Sequence, residues 1–266
     1  MTRVHATMGR WSMAIPLLLG LSLAQAASTV QERAQAFAGL PDWSGIWESD
    51  FASLKAVDPP AGTTATGKTG GIFEAIRPPF RPDRESTYQK LLSGPPQPFT
   101  DCKGISFPNL MYNPGWFDVL VTPEEVAMTH THHETRHIYI GRSHPGKEDL
   151  WPTRMGHSIG HWEGSTLVVD TVAVRGDLWL REQSPDHETR WTVMSLSDQA
   201  HFVERIRMVN HEHLEDRLTV YDEAALEHPW NLTINFKRVA DVDHMIDEDC
   251  VENNREIILK SDGTIR

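Results

Sequence analysis

From Phe117 onward the chain is written as short β-prone runs parted by turn-compatible residues, and this restricts it to an all-β arrangement. Phe117 to Thr122, Val126 to His132 and Arg136 to Ile140 come first. Gly156 to Thr171 is the clearest hairpin, with Glu163-Gly164 as its turn between Ser158-Ile159-Gly160-His161-Trp162 and Thr166-Leu167-Val168-Val169-Asp170-Thr171. Thr189 to Leu196, Phe202 to Val209, Leu214 to Tyr221 and Leu232 to Val239 complete the series. Helical crossovers of the parallel-sheet kind are missing, so the runs predict a mainly β fold, an antiparallel barrel or a sandwich. Closure into a barrel is favoured because it leaves no strand edge to protect.

The N-terminal part differs in character. Val30, Ala34 and Phe37 can share one face of a short helix, and Asp42 to Glu48 reads as a first strand carrying Gly45-x-Trp47. Residues 51–100 hold Pro59-Pro60, Gly70-Gly71, Pro78-Pro79 and Pro95-Pro96, which excludes long helices and central strands. A long N-terminal arm over the core, or a lid, is expected there, with a short helix near Glu85 to Leu92.

Arg3, His5 and Arg10 precede an apolar run from Met13 to Ala24, and Ala24-Gln25-Ala26 offers small residues for a signal peptidase. A leader over residues 1–26 is therefore expected, with a single β-barrel domain over 27–266 and a periplasmic or secreted location. The run is shorter than the roughly 20 residues a spanning helix needs, so stable membrane insertion is not expected. Loss of Arg3 and Arg10 makes a net charge of −12 more negative still, which argues against nucleic acid as a partner. The only cysteines, Cys102 and Cys250, are most simply paired as a disulfide in an oxidising compartment.

Chemistry concentrates in the centre. Of fourteen histidines, His130, His132, His133, His137, His144, His157 and His161 fall within one stretch. Strand alternation puts Val126, Met128, His130 and His132 on one face, and His157, Ile159 and His161 on another. If those faces meet inside a barrel, His130, His132, His157 and His161 form a ligand set for Zn²⁺ or a similar divalent ion. Imidazoles suit metal-free acid and base chemistry equally well. On that reading His132 or His133 is the acid or base, Asp170 orients it, Arg154 or Arg136 meets anionic charge, and Tyr139 or Tyr221 supplies a hydroxyl. Structural or ligand-binding histidines are the third reading.

His133-Glu134-Thr135-Arg136-His137 spells the zinc string His-Glu-x-x-His, whose chemistry needs a helix. Four residues rise about 6 Å on a helix but about 13 Å on a strand, too far for one ion. The β-branched neighbours Thr129, Thr131 and Thr135 favour the strand. Phe202, Glu204, Ile206 and Met208 share a mixed face, as do Val203, Arg205, Arg207 and Val209, a pattern suited to a barrel with a partly polar lining, to which Glu204 or Arg205 would contribute. Trp151, Trp162 and Trp179 add flat apolar surface near the histidines.

Gly45-Ile46-Trp47, the segment Met155 to Gly164 and Thr166 to Thr171 resemble a family of exported bacterial proteins of mostly unassigned function. Gly45 and Trp47 also resemble the lipocalin or calycin first-strand signature. That resemblance implies a calycin-like barrel with an internal cavity. The expectation that follows is an exported lyase or hydrolase acting on a small aromatic, terpenoid or sugar-like molecule. The alternative is a periplasmic protein that binds a small ligand or metal without turnover. No Gly-rich strand-to-helix fingerprint is present, so a nucleotide cofactor is not expected.

Overall fold

The computed structural model describes residues 29–57, 76–95, 106–131, 134–175, 177–183, 189–242 and 244–245. Twelve strands carry them: β1 (Gly45–Ser49), β2 (Lys55–Ala56), β3 (Trp116–Val121), β4 (Glu125–His130), β5 (Thr135–Ile140), β6 (His157–Glu163), β7 (Thr166–Val172), β8 (Asp177–Gln183), β9 (Thr189–Ser195), β10 (His201–Asn210), β11 (His213–Tyr221) and β12 (Trp230–Arg238). Helices α1 (Val30–Ala38), α2 (Pro82–Ser93) and α3 (Asn109–Tyr112) lie between and before them.

Nine strands close a barrel in the order β1-β3-β4-β5-β6-β7-β10-β11-β12, with β12 returning to β1. Trp47 opposite Arg238 and Ser49 opposite Phe236 make that closing register. The pairings are antiparallel except β5 with β6, where Ile138 faces Ser158 and Tyr139 faces Ile159 in parallel. This corrects the fully antiparallel expectation. A parallel pair cannot be joined by a tight turn, and residues 141–156 supply the crossover. The two short strands β8 and β9 form a separate hairpin.

Alternation decides what enters the barrel. Leu167, Val169 and Thr171 of β7 are buried while Val168, Asp170 and Val172 are only partly covered. On β6 Ser158 is buried and His157 and His161 lie on the other face. The β6–β7 turn is tight because Gly164 accepts a left-handed φ of 62°, which costs a glycine nothing. Trp47, Phe117, Val126, Met128, Phe202, Leu214, Leu218 and Phe236 build the core.

One loop also goes inside. Phe107, Leu110, Met111 and Tyr112, on and before α3, are buried, and Phe107 meets Phe202 edge-on at 5.0 Å between ring centres. The barrel interior at that level is therefore filled by the chain itself. Arg238 locks the closure: its guanidinium lies 4.3 Å from the Trp47 ring and donates to the carbonyls of Asp42, Ser44 and His211.

Helix α1 begins with a capping box between Thr29 and Glu32, yet buries none of its residues. Of residues 51–100, the described parts hold a 3-10 turn at Phe51–Ser53, β2, and α2 with Tyr88 and Leu92 buried. The expected arm is otherwise outside the described residues, as are the leader, Cys102 and Cys250. Among the described residues there is no disulfide, and the expected Cys102–Cys250 pairing lies outside them.

Candidate functional site

The register of five strands creates one polar row on the outside of the barrel. Tyr139 on β5 pairs with Ile159, Ile159 with Asp170, and Asp170 with Val203. One step along, His157 pairs with Val172, and His201 pairs with Tyr221. All these outward side chains follow from buried partners at the neighbouring positions, Ser158, Thr171 and Phe202. The β5–β6 crossover then lays His144 across the row.

Asp170 holds two imidazoles at once. His144 Nε2 stands 2.9 Å from Asp170 Oδ1, and His201 Nε2 stands 2.8 Å from Oδ2. His144 Nδ1 is 2.8 Å from His157 Nδ1. Partial burial works against the Asp170 carboxylate, but hydrogen bonds and positive charge from His201 and His144 outweigh it and hold its pKa below the ordinary value. For His157, loss of solvent and then repulsion from His144 push the pKa down, so its ring stays neutral. An ionised Asp170 accepts only, so both facing Nε2 atoms carry protons. If His144 is neutral, its Nδ1 accepts from His157 Nδ1–H, and His157 keeps its lone pair on Nε2. Among the described residues, none donates to that atom.

Aromatic rings frame the row. Tyr139 lies 5.5 Å from His157, Arg142 caps Tyr139 at 5.5 Å, and His201 stacks on Tyr221 at 5.7 Å and 26°. Tyr221 borders a depression of about 420 Å³ shared with Arg81, Glu223, Glu227 and His228.

A second polar group lies inside. Arg136, fully buried, pairs with Glu204 through both nitrogens, one at 2.7 Å and the other shorter. It also donates to Thr171 at 3.0 Å and lies 4.2 Å from the Phe107 ring. Asp216 faces the same space; no donor among the described residues reaches its oxygens, and as an acid it is placed to donate its own O–H to Glu204. Burial, then the charge of Glu204, raise its pKa well above the usual carboxylate range, so it sits there as a neutral acid.

Sequence matches are lacking. Neither known protein-family models nor characterised proteins match the chain. The resemblances to an exported bacterial family and to calycins thus stand on the short motifs alone, and what is shown is a closed barrel of nine strands, of a kind able in principle to house a small ligand.

The sequence-predicted site residues separate. His130 is buried inside against Phe117, at 4.8 Å between rings. His157 and His161 are outside, His161 well exposed beside Glu163. His132 and His133 lie outside the described residues. The expected convergence of His130, His157 and His161 therefore fails, because alternation sends His130 inward and the β6 pair outward. Among the described residues no group of three or more His, Cys, Asp or Glu side chains is placed to hold a metal ion. The expected Zn²⁺ or other divalent cofactor is withdrawn on that ground.

Asp170 shares a face with Val168 as expected, but it is the outer one. Tyr139 joins the row. Arg154 anchors the inner loop through its carbonyl, which accepts from Phe107 N–H. The His-Glu-x-x-His string runs into β5, where His137 is exposed and bonded to Glu125. Trp151 is exposed and Trp162 packs edge-on against Trp43; the Trp179 side chain is outside the described set. His144 and His201 as partners of Asp170 were not foreseen. Pairing of Asp170 with Val203 is the signal that would have found His201, two residues earlier on the same face.

Among the described residues no helix is long and apolar enough to cross a membrane.

Proposed function

We propose that the protein binds a small organic molecule on the outer row, between Tyr139 and Tyr221, rather than in a histidine-lined cavity. Filling of the barrel by Phe107 and Met111 argues for the outside. The observation that carries the reading is the double engagement of Asp170 by His144 and His201, which fixes two imidazoles, and through His144 a third, beside partly exposed tyrosine rings. Ring-bearing ligands of the aromatic, terpenoid or sugar type suit such a surface. Export to the periplasm or medium, a single domain over 27–266 and a calycin-like ancestry belong to the same proposal, supported by the leader-like N-terminus and the Gly45-x-Trp47 motif.

Turnover by a lyase or hydrolase is the second reading. It is favoured by the accepting Nε2 of His157 at the end of a carboxylate-linked chain of imidazoles.

A thermal-shift panel of aromatic, terpenoid and sugar-like compounds tests the binding. A ligand that occupies the folded state raises stability by about RT ln(1 + [L]/Kd), roughly 2.7 kcal/mol at a hundredfold excess over Kd. The expected result is a shift in the wild type that disappears in His157→Ala and Tyr221→Ala. Shifts that survive both substitutions but vanish on changing Met111 would move the ligand into the barrel.

A further inference from the structure

The hydrogen-bond chain has a direction. Asp170, ionised, takes the Nε2 protons of His144 and His201, so His144 has one nitrogen left, and that nitrogen faces His157. A 2.8 Å contact between two Nδ1 atoms holds one proton. In the uncharged state it belongs to His157, whose Nε2 is then the free basic atom of the chain. A proton arriving there need not stay. His157 can hand its Nδ1 proton to His144, and the positive charge then rests on the ring that Asp170 already holds. The low proton affinity of His157 is thereby bypassed, because His157 never keeps the charge.

We infer that the outer row is a proton-abstraction site, in which His157 takes the hydroxyl proton of a small phenolic or enolic ligand while His144 and Asp170 hold the resulting charge. This rests on the ligand-binding reading above. The step balances: the ligand O–H bond breaks and its electron pair stays on oxygen, a new N–H bond forms at His157 Nε2, and the Nδ1 proton shifts to His144. On release the same path runs backwards, and no oxidant, reductant or metal enters.

The surroundings select the ligand class. Facing the row are Tyr139 and Arg142 from β5 and the crossover, His144 from the crossover, Asp170 from β7, His201 from β10 and Tyr221 from β11. A carboxylic acid reaches the site already ionised and is repelled by Asp170. An aliphatic alcohol holds its proton too tightly for an imidazole. A phenol, with a pKa of about 10 like that of tyrosine, lies between, and substituents lower it further. Its ring finds Tyr139 beside His157, and its anion finds the Arg142 guanidinium 5.5 Å above that tyrosine.

Para-nitrophenol is the probe, since its anion alone absorbs in the visible. In weakly acidic buffer, wild-type protein is expected to raise the anion band saturably, with a proton-dissociation constant of the bound probe increased about tenfold, one unit of pKa. His157→Gln is expected to abolish the band, and His144→Ala and Asp170→Asn to reduce it, with calorimetry reporting binding separately. Binding without the band overturns proton abstraction and leaves the binding reading standing. Absence of binding overturns both, and a band that persists in His157→Gln removes His157 from the role. Should that variant fail to fold, ¹⁵N spectra of wild-type imidazoles decide: the His157 Nε2 signal must change to the protonated type on adding the probe, and an unchanged signal overturns the assignment.

Discussion

Replacing Glu204 by Gln removes the charge opposite Arg136 but keeps the shape of the side chain. Breaking a buried ion pair in this way ordinarily costs about 3–5 kcal/mol, because the surviving charge has no partner and no water. The barrel interior holds a spare acid. Asp216 is neutral in the wild type because it is buried and because Glu204 repels its ionised form, while Arg136 attracts that form. Once Glu204 is uncharged, its repulsion goes; burial still opposes ionisation and Arg136, now without its own counterion, favours it, and the expected outcome is that Asp216 ionises and becomes the counterion. Glu204→Gln alone is thus expected to cost only about 1–2 kcal/mol, the order of one disturbed hydrogen-bond set. Asp216→Asn alone is expected within about 1 kcal/mol of wild type, since the amide can still donate to Glu204 as the neutral acid does. The double variant strands Arg136 and should cost the full 3–5 kcal/mol or so.

The assay is urea unfolding followed by tryptophan fluorescence for the four proteins at neutral pH, analysed as a double-mutant cycle. A coupling of about 2 kcal/mol is expected. Additivity within about 0.5 kcal/mol, or a Glu204→Gln cost equal to that of the double variant, would refute the hand-over. The pH dependence has a definite sign. A raised folded pKa for Asp216 means the folded chain keeps a proton that the unfolded chain releases above about 3.9. That contribution is complete below the unfolded pKa and is lost as pH rises towards the folded value, and the slope should flatten in Glu204→Gln.

Three further outcomes are expected. Gly156→Ala forces a Cβ to within 2.6 Å of the Val172 carbonyl oxygen and of Val174 at a φ of 67°; overpacking and strain should cost about 1–3 kcal/mol in thermal unfolding and displace His157 next to it. Asp170 has a lowered folded pKa, so its contribution is present above the unfolded value and is lost as pH falls through the folded one. Its carboxyl ¹³C signal should titrate below the ordinary aspartate range, and the stability gap between wild type and Asp170→Asn should close in acid. Arg238→Lys loses the planar fork that reaches three carbonyls and the Trp47 face. A cost of about 1–3 kcal/mol and faster amide exchange along β1 should follow, with little recovery over Arg238→Ala.

Strands were legible because each apolar run alternates with partly covered residues: β4, β7, β10, β11 and β12 lie close to where the pattern put them. The parallel β5–β6 pair was not, since strand direction depends on where a sixteen-residue-scale crossover travels and not on the composition of either strand. Alternation grouped His157 with His161, and Asp170 with Val168, correctly. It does not say which face is inward, and His157 and His161 on β6 and Asp170 on β7, expected in the lining, point outward. Ser158 and Gly160, smaller and less conspicuous than the histidines, are the ones that fit inside against Arg136, Ile138 and Leu167. Arg136 itself hid within the His-Glu-x-x-His string. A buried arginine on a strand needs a carboxylate on an inward position elsewhere, and Glu204, between Phe202 and Ile206, was that residue.

Ligand binding on the outer row is tested most directly by ¹⁵N-labelled histidine spectra titrated with para-nitrophenol. With the ligand on the outer row, the His144, His157 and His201 signals move together and saturate, while His130, buried beside Phe117, stays in place. Movement of His130 with the three outer histidines unaffected would contradict that placement, and would put the ligand inside the barrel.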